Sequence, residues 1–138
     1  PWQVPYTLPD DYSPVRGKGC VLLDGKDTAV IGYGPVLLSA AYAAAKTANA
    51  KLINLPWLNT VDTDWLRHEL RGIRKLVLLD NHYRDGGQAQ YVLQALAQTD
   101  ISLHVSTLGV GTVPPSGTNP EVLEAIGLNE AAISRAIG

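Results

Sequence analysis

Lys75-Leu76-Val77-Leu78-Leu79-Asp80 is the stretch that decides the fold. Four consecutive apolar residues between a lysine and an aspartate are too few for a buried helix. They are also too uninterrupted for a strand with one wet face, so they predict an inner strand of a parallel sheet, covered by helices on both sides. C-terminal to it, Gly86-Gly87 opens a helix in which Ala89, Val92, Leu93, Leu96 and Ala97 fall at the i, i+3, i+4, i+7, i+8 positions of one apolar face. N-terminal to it, Leu66, Leu70 and Ile73 form a helical stripe behind a cap at Asp62 or Thr63, and residues 52–55 form a short strand. Residues 35–49 are rich in alanine and leucine and begin with Pro35, which suits a first helical turn.

The flanks complete the pattern. Residues 19–23 and 28–31 are short apolar runs separated by Asp24-Gly25, which predicts a tight hairpin between two strands. Residues 101–108 begin with Ile101, Leu103 and Val105 alternating with Ser102, His104 and Ser106, as a strand near a sheet edge does. Toward the end, Asn119 caps a short helix with Pro120 in its first turn and Gly127 stopping it. Leu128 and Ile133 then flank the Asn129 cap of a last helix at hydrophobic-staple spacing. The resulting order is strand, strand, helix, strand, helix, strand, helix, strand, helix, helix. It predicts an α/β fold with a mostly parallel sheet between helix layers and right-handed crossovers. Ahead of it, Pro1, Pro5, Pro9 and Pro14, with Trp2 and Tyr6 between them, favour extended backbone. Residues 1–16 are therefore expected to be a linker arm and residues 17–138 a domain.

A chain of 138 residues fits one such domain, and a formal net charge of −2 offers no general attraction to nucleic acid or anionic lipid. No run approaches the roughly 20 apolar residues of a membrane span. The lone Cys20 excludes an internal disulfide and a cysteine-rich metal site, and it fits a reducing compartment, so a soluble cytoplasmic protein is expected. The chain starts at Pro1 and contains no methionine, which leads us to expect a piece excised from a longer protein.

Two places carry candidate chemistry. Gly32-Tyr33-Gly34 joins a strand to a helix, where backbone N–H groups of Gly32 and Gly34 could meet an anion. Leu37 stands where the dinucleotide fingerprint needs its third glycine, so a tight turn is the plainer reading and nucleotide binding is not expected. The second place follows the inner strand. Asp80, Asn81, His82, Tyr83, Arg84 and Asp85 supply an acid/base candidate and a cation before Gly86-Gly87, at the end of the sheet where open α/β folds place ligands. His82 is the foremost candidate, with Asn81, Arg84, Gly86 and Gly87 as substrate- or anion-binding candidates; a solvated loop is the competing reading. His68 and His104 fall on polar faces, and no histidine pair has metal spacing, so no metal site is expected. Cys20 reads as a small buried thiol and Ser116-Gly117-Thr118 as turn chemistry ahead of a helix. Trp65 reads as core packing, while Trp2 and Trp57 would mark a partner surface if exposed.

Several segments in order resemble the C-terminal domain of transketolases and of related thiamine-diphosphate enzymes, among them the β subunit of 2-oxoacid dehydrogenases. They are Asp11-Tyr12; Gly17-Lys18-Gly19-Cys20-Val21-Leu22; Gly25-Lys26-Asp27; Gly32-Tyr33-Gly34; Ile53-Asn54-Leu55-Pro56-Trp57-Leu58; Asp62; Asp80-Asn81-His82; Gly86-Gly87; Gly117-Thr118-Asn119-Pro120-Glu121-Val122-Leu123; and Gly127-Leu128. The resemblance implies a three-layer α/β/α domain whose five-stranded mixed sheet has its first strand antiparallel to the others. It also implies a parent enzyme that transfers two-carbon ketol units between sugar phosphates, as a dimer, with thiamine diphosphate and Mg²⁺ held by preceding domains or a separate subunit.

On that reading the domain is not catalytic alone, binds no cofactor itself, and supports the dimer and the substrate channel, with His82 near the substrate entrance. The chain departs from the family pattern in two places. The family loop often carries one or two glutamates before the histidine, where this chain has Asp80-Asn81. A lysine, a proline, a leucine and an aspartate commonly follow the tryptophan, where this chain reads Leu58, Asn59, Thr60, Val61 and Asp62. The Gly-Asp-Gly motif that holds the diphosphate and its metal does not occur. Two other readings stay open: a β-subunit domain of a 2-oxoacid dehydrogenase or oxidoreductase, and a free-standing regulatory module that binds an anion.

Overall fold

A computed structural model describes residues 3–138, so Pro1 and Trp2, and the expectation placed on Trp2, lie outside the described residues. The elements run β1 (Cys20–Leu23), β2 (Thr28–Gly32), α1 (Pro35–Ala48), β3 (Lys51–Asn54), α2 (Thr63–Glu69), β4 (Lys75–Tyr83), α3 (Gln88–Leu96), β5 (His104–Val110), α4 (Asn119–Ala125) and α5 (Glu130–Ile137). This is the order that the apolar periodicities predict. The strands form one five-stranded sheet in the order β1-β3-β2-β4-β5. β2 is parallel to β3 and β4, β4 is parallel to β5, and β1 alone is antiparallel, on β3.

Strand alternation sorts the core into two faces. Val30, Leu52, Val77 and Leu79 point to the side covered by α1 and α5, where they meet Leu37, Leu38, Ala41, Ile133 and Ile137. Their neighbours Ala29, Ile31, Ile53, Leu76 and Leu78 point to the side of α2 and α3, against Leu66, Leu70, Ala89 and Val92. β4 is buried from Leu76 to Asp80, as a strand sandwiched between two helix layers must be. Each wholly buried Leu, Ile or Val here contributes about 1.5–3 kcal/mol.

The caps follow sequence chemistry. Asp62 accepts from the Trp65 N–H at 2.8 Å and Asn129 from the Ala132 N–H at 3.0 Å, while Leu128 and Ile133, which flank that second cap, are both fully buried. Asn49 closes α1 in the left-handed conformation, at φ 53°. Cys20 is a buried free thiol, and burial raises its pKa. Trp65 and Trp57 both pack, half-buried, against the α2–α3 face, and His68 and His104 are exposed.

Several expectations are corrected. β1 and β2 do not form a hairpin, because β3 lies between them. The connection instead steps across the end of β3: Lys26 N–H donates to Asn49 O at 3.0 Å, and a Cβ on Gly25 would overlap the backbone of Ala50 and Lys51. The glycine that resembled a hairpin turn is there for close approach. β4 extends to Tyr83, after a register shift against β5, so Asn81, His82 and Tyr83 belong to the strand rather than to a loop. β5 starts at His104, since residues 101–103 are not in the ladder. The cap of α4 is Thr118, whose N–H and hydroxyl both meet Glu121 Oε2, at 2.9 and 2.7 Å; Asn119 is the first helical residue. In α3 the buried face is Gln88, Ala89, Val92 and Ala95, so Leu93 and Ala97 point outward. Among the described residues no helix is long and apolar enough to cross a membrane.

Candidate functional site

The carboxyl ends of β2, β3 and β4 lie together, and five hydrogen bonds made by two buried residues, Asp80 and Gln88, hold their loops in place. Asp80 is fully buried at the point where β4 leaves the core. Its Oδ1 accepts from the Gln88 N–H at 2.9 Å and from the Tyr33 hydroxyl at 2.9 Å, and its Oδ2 accepts from the Ala89 N–H at 2.8 Å. The carboxylate thus takes the place of an N-cap for α3, which Gly87 cannot provide. Gly87 is required for this geometry, because a Cβ there would come 2.5 Å from Asp80 Oδ2. Gln88, itself buried, donates through Nε2 to Leu55 O at 2.7 Å and Trp57 O at 2.9 Å, which fixes the loop after β3. Tyr33 is pushed well above the ordinary tyrosine value by burial first, then by its hydrogen bond to the Asp80 carboxylate and the charge of that group.

His82 lies outside this network. Its imidazole is exposed, stands edge-on to the Tyr83 ring at 5.9 Å, and has Nδ1 3.2 Å from Tyr83 O. It borders a hollow of about 180 Å³ shared with Tyr33, Asn59, Gly86, Gly87 and Tyr91. On its other side His82, with Asn81 and Tyr83, borders an apolar hollow of about 250 Å³ formed with Val110 and Val122. Arg84 turns away: its side chain lies over Gly109 and Gly111, beside Thr107, and does not reach the His82 hollow. Gly34, at φ 78°, precedes α1 with no side-chain cap, and Gly32 is buried beside Leu79 and Leu38.

Of the residues singled out in the sequence, the structure therefore brings His82, Gly86 and Gly87 together with Tyr33, and separates Arg84 from them. The N–H groups at the start of α3 already hold an anion, the Asp80 carboxylate. The larger hollow of about 620 Å³, between α1, α4 and α5, is lined by Ser39, Asn119, Leu123 and Glu124 among others, with no histidine or cation. Sequence reasoning placed Asp80 in an exposed acid/base loop and overlooked Gln88. One signal was available: Gly87 is a poor cap for so regular a helix, which implies a cap from elsewhere. Chemically, His82 can exchange a proton or a hydrogen bond with a molecule at the rim. It has no carboxylate to orient it, and no group of three or more His, Cys, Asp or Glu stands together among the described residues.

The architecture defines the class: a three-layer α/β/α domain with a mixed five-stranded sheet whose first strand is reversed at one edge. The family described as the transketolase C-terminal domain matches residues 17–133, and the chain belongs to that family. It is 30% identical over 122 residues to a 1-deoxy-D-xylulose-5-phosphate synthase of Neisseria gonorrhoeae, covering 88% of this chain and 19% of that protein. Its identity to a synthase of the same name from Bordetella avium is 31%, over 88% of this chain and 20% of that protein. The chain thus spans about a fifth of the length of the curated relatives it matches.

Among solved structures, a split-gene transketolase described as an inactive β4 tetramer superposes with a TM-score of 0.83 at 26% identity, over 97% of this chain and 45% of that one. A transketolase from Campylobacter jejuni superposes with a TM-score of 0.60 at 13% identity, over 91% of this chain and 19% of that one, a likeness of fold alone.

Proposed function

We propose that this chain serves as the C-terminal domain of a transketolase-like, thiamine-diphosphate-dependent enzyme that transfers two-carbon ketol units between sugar phosphates in the cytoplasm. On this reading the domain supports the dimer, and its β-strand carboxyl ends border the substrate channel. The observation that carries the reading is the family match from residue 17 to residue 133. The relatives named 1-deoxy-D-xylulose-5-phosphate synthase favour a second reading, in which the parent enzyme makes that product.

Thiamine diphosphate and Mg²⁺ do not fit the residues around His82. The hollow at His82 is about 180 Å³, below the roughly 300–1,000 Å³ of ligand pockets, and the helix N-terminus beside it faces a carboxylate. On this reading other domains hold the cofactor. What this chain supplies is an imidazole at a rim, free to donate a hydrogen bond to a substrate hydroxyl or phosphate oxygen.

The test uses the full-length enzyme, assayed in parallel for ketol transfer between sugar phosphates and for formation of 1-deoxy-D-xylulose 5-phosphate. Whichever activity is found, His82→Ala should lower kcat/KM about tenfold, the loss of one hydrogen bond of ~1.4 kcal/mol. Wild-type kinetics would remove His82 from the channel. Absence of both activities in the presence of thiamine diphosphate would overturn the parent assignment.

A further inference from the structure

The described segment before β1, from Gln3, contains no helix or strand, yet it touches the domain at three points. Tyr6 is half-buried against the α1 side of the core, its ring 6.3 Å from that of Tyr42. Tyr12 is also half-buried. Gly17 is buried on the opposite, α2 side. Its carbonyl accepts from the Asp62 N–H at 2.9 Å, at φ 76°, and a Cβ there would come 2.8 Å from the Asp62 nitrogen. All other described residues from Gln3 to Arg16 are exposed. The segment therefore passes from one helix layer to the other beside the Cys20 end of β1. There β1 is an edge strand, paired on one side only.

We infer that residues 3–18 act as a strap over this sheet edge, fastened by Tyr6, Tyr12 and Gly17, which keeps Cys20 sealed until the strap lifts. Its prolines, Pro5, Pro9 and Pro14, suit the task because they cannot donate to a β-ladder; the strap covers the edge without extending the sheet. The two tyrosines supply aromatic area on an otherwise exposed segment, so the fastening is local. It can open without unfolding the core, as weakly packed peripheral segments do. Val4, Leu8 and Val15 are exposed by comparison. Cys20 thereby becomes a reporter of strap position, a thiol buried when the strap is down and reachable when it is up. This does not depend on the parent enzyme's reaction.

The test measures the rate at which a small disulfide reagent, 5,5′-dithiobis(2-nitrobenzoate), labels Cys20 in the full chain, alongside the midpoint of urea unfolding. Tyr6→Ala and Tyr42→Ala remove the two sides of one fastening, and each should raise the labelling rate at least tenfold. Tyr6→Phe, which keeps the ring, should restore the slow rate. Leu8→Ala, on an unfastened residue, should change nothing. The inference fails if Tyr6→Ala leaves the rate unchanged. It also fails if the rate rises only by the factor that the shift in global stability predicts, since labelling would then require whole-domain unfolding.

Discussion

Replacing Asp80 by asparagine keeps the shape of the side chain and removes one acceptor and one charge. The wild-type carboxylate receives the Gln88 N–H at 2.9 Å on one oxygen and the Ala89 N–H at 2.8 Å on the other, in a fully buried position. An amide has a single acceptor oxygen, so either orientation turns an NH₂ group toward one of these donors and leaves it unpaired, at a cost of about 1–3 kcal/mol. Loss of the anion at the start of α3 adds about 0.3–1 kcal/mol, nearer 2 in a buried setting. Relief of the buried charge offsets part of this, which leaves a net destabilisation of about 2–4 kcal/mol. For a domain of 138 residues the unfolding entropy is about 0.3 kcal/mol per kelvin, so Tm should fall by about 7–14 °C. Thermal melts followed by far-UV circular dichroism at pH 7, with urea titrations to check that the m-value is unchanged, provide the assay. A fall of less than about 3 °C would refute the role of Asp80 as the cap of α3.

Three further outcomes follow from the same contacts. Tyr33 has its pKa raised above the ordinary 10.0, so the folded state holds the phenol proton more tightly than the unfolded chain does; stability from this group is complete below pH 10 and is lost as pH rises above it. Urea midpoints measured from pH 9 upward should fall less steeply for Tyr33→Phe than for the wild type. Gln88→Leu strands the carbonyls of Leu55 and Trp57 and should cost about 1–3 kcal/mol in urea unfolding, with faster amide exchange in residues 55–60. Gly25→Ala forces a Cβ into the backbone of Ala50 and Lys51; it should cost about 3 kcal/mol or more, or abolish soluble expression, where alanine in an ordinary turn would be nearly neutral.

The layered architecture was legible in the sequence because periodicity reports burial, and burial decides which elements stack. The run at 76–79 read correctly as a strand enclosed on both sides, the cap at Asn129 read correctly, and the choice left between Asp62 and Thr63 falls to Asp62, since both caps have partners three residues away. What failed depended on distant neighbours. Asp24-Gly25 carries the chemistry of a hairpin turn, and nothing local reveals that β3 will occupy the space between β1 and β2. The helical template fitted Leu93 and Ala97 in α3 as well as Ala89 and Val92, but α3 buries Gln88, Ala89, Val92 and Ala95 and leaves Leu93 exposed. The same holds at the candidate site. Asp80 was noticed as a polar residue in a promising place, but its service to α3 depends on Tyr33, Gln88 and Ala89 arriving from two other elements.

The separation of β1 from β2 has a kinetic consequence. Loop closure favours the unit of β2, α1 and β3, whose pairings join residues about 22 apart, such as Val30 and Leu52. β1 has no partner until β3 is laid down, because its pairings are with β3 alone, as in Val21 with Ile53. Truncations in β1, such as Val21→Ala, should therefore speed unfolding while leaving the folding rate nearly unchanged. The strand that comes first in this sheet's sequence must wait for the third before it can pair.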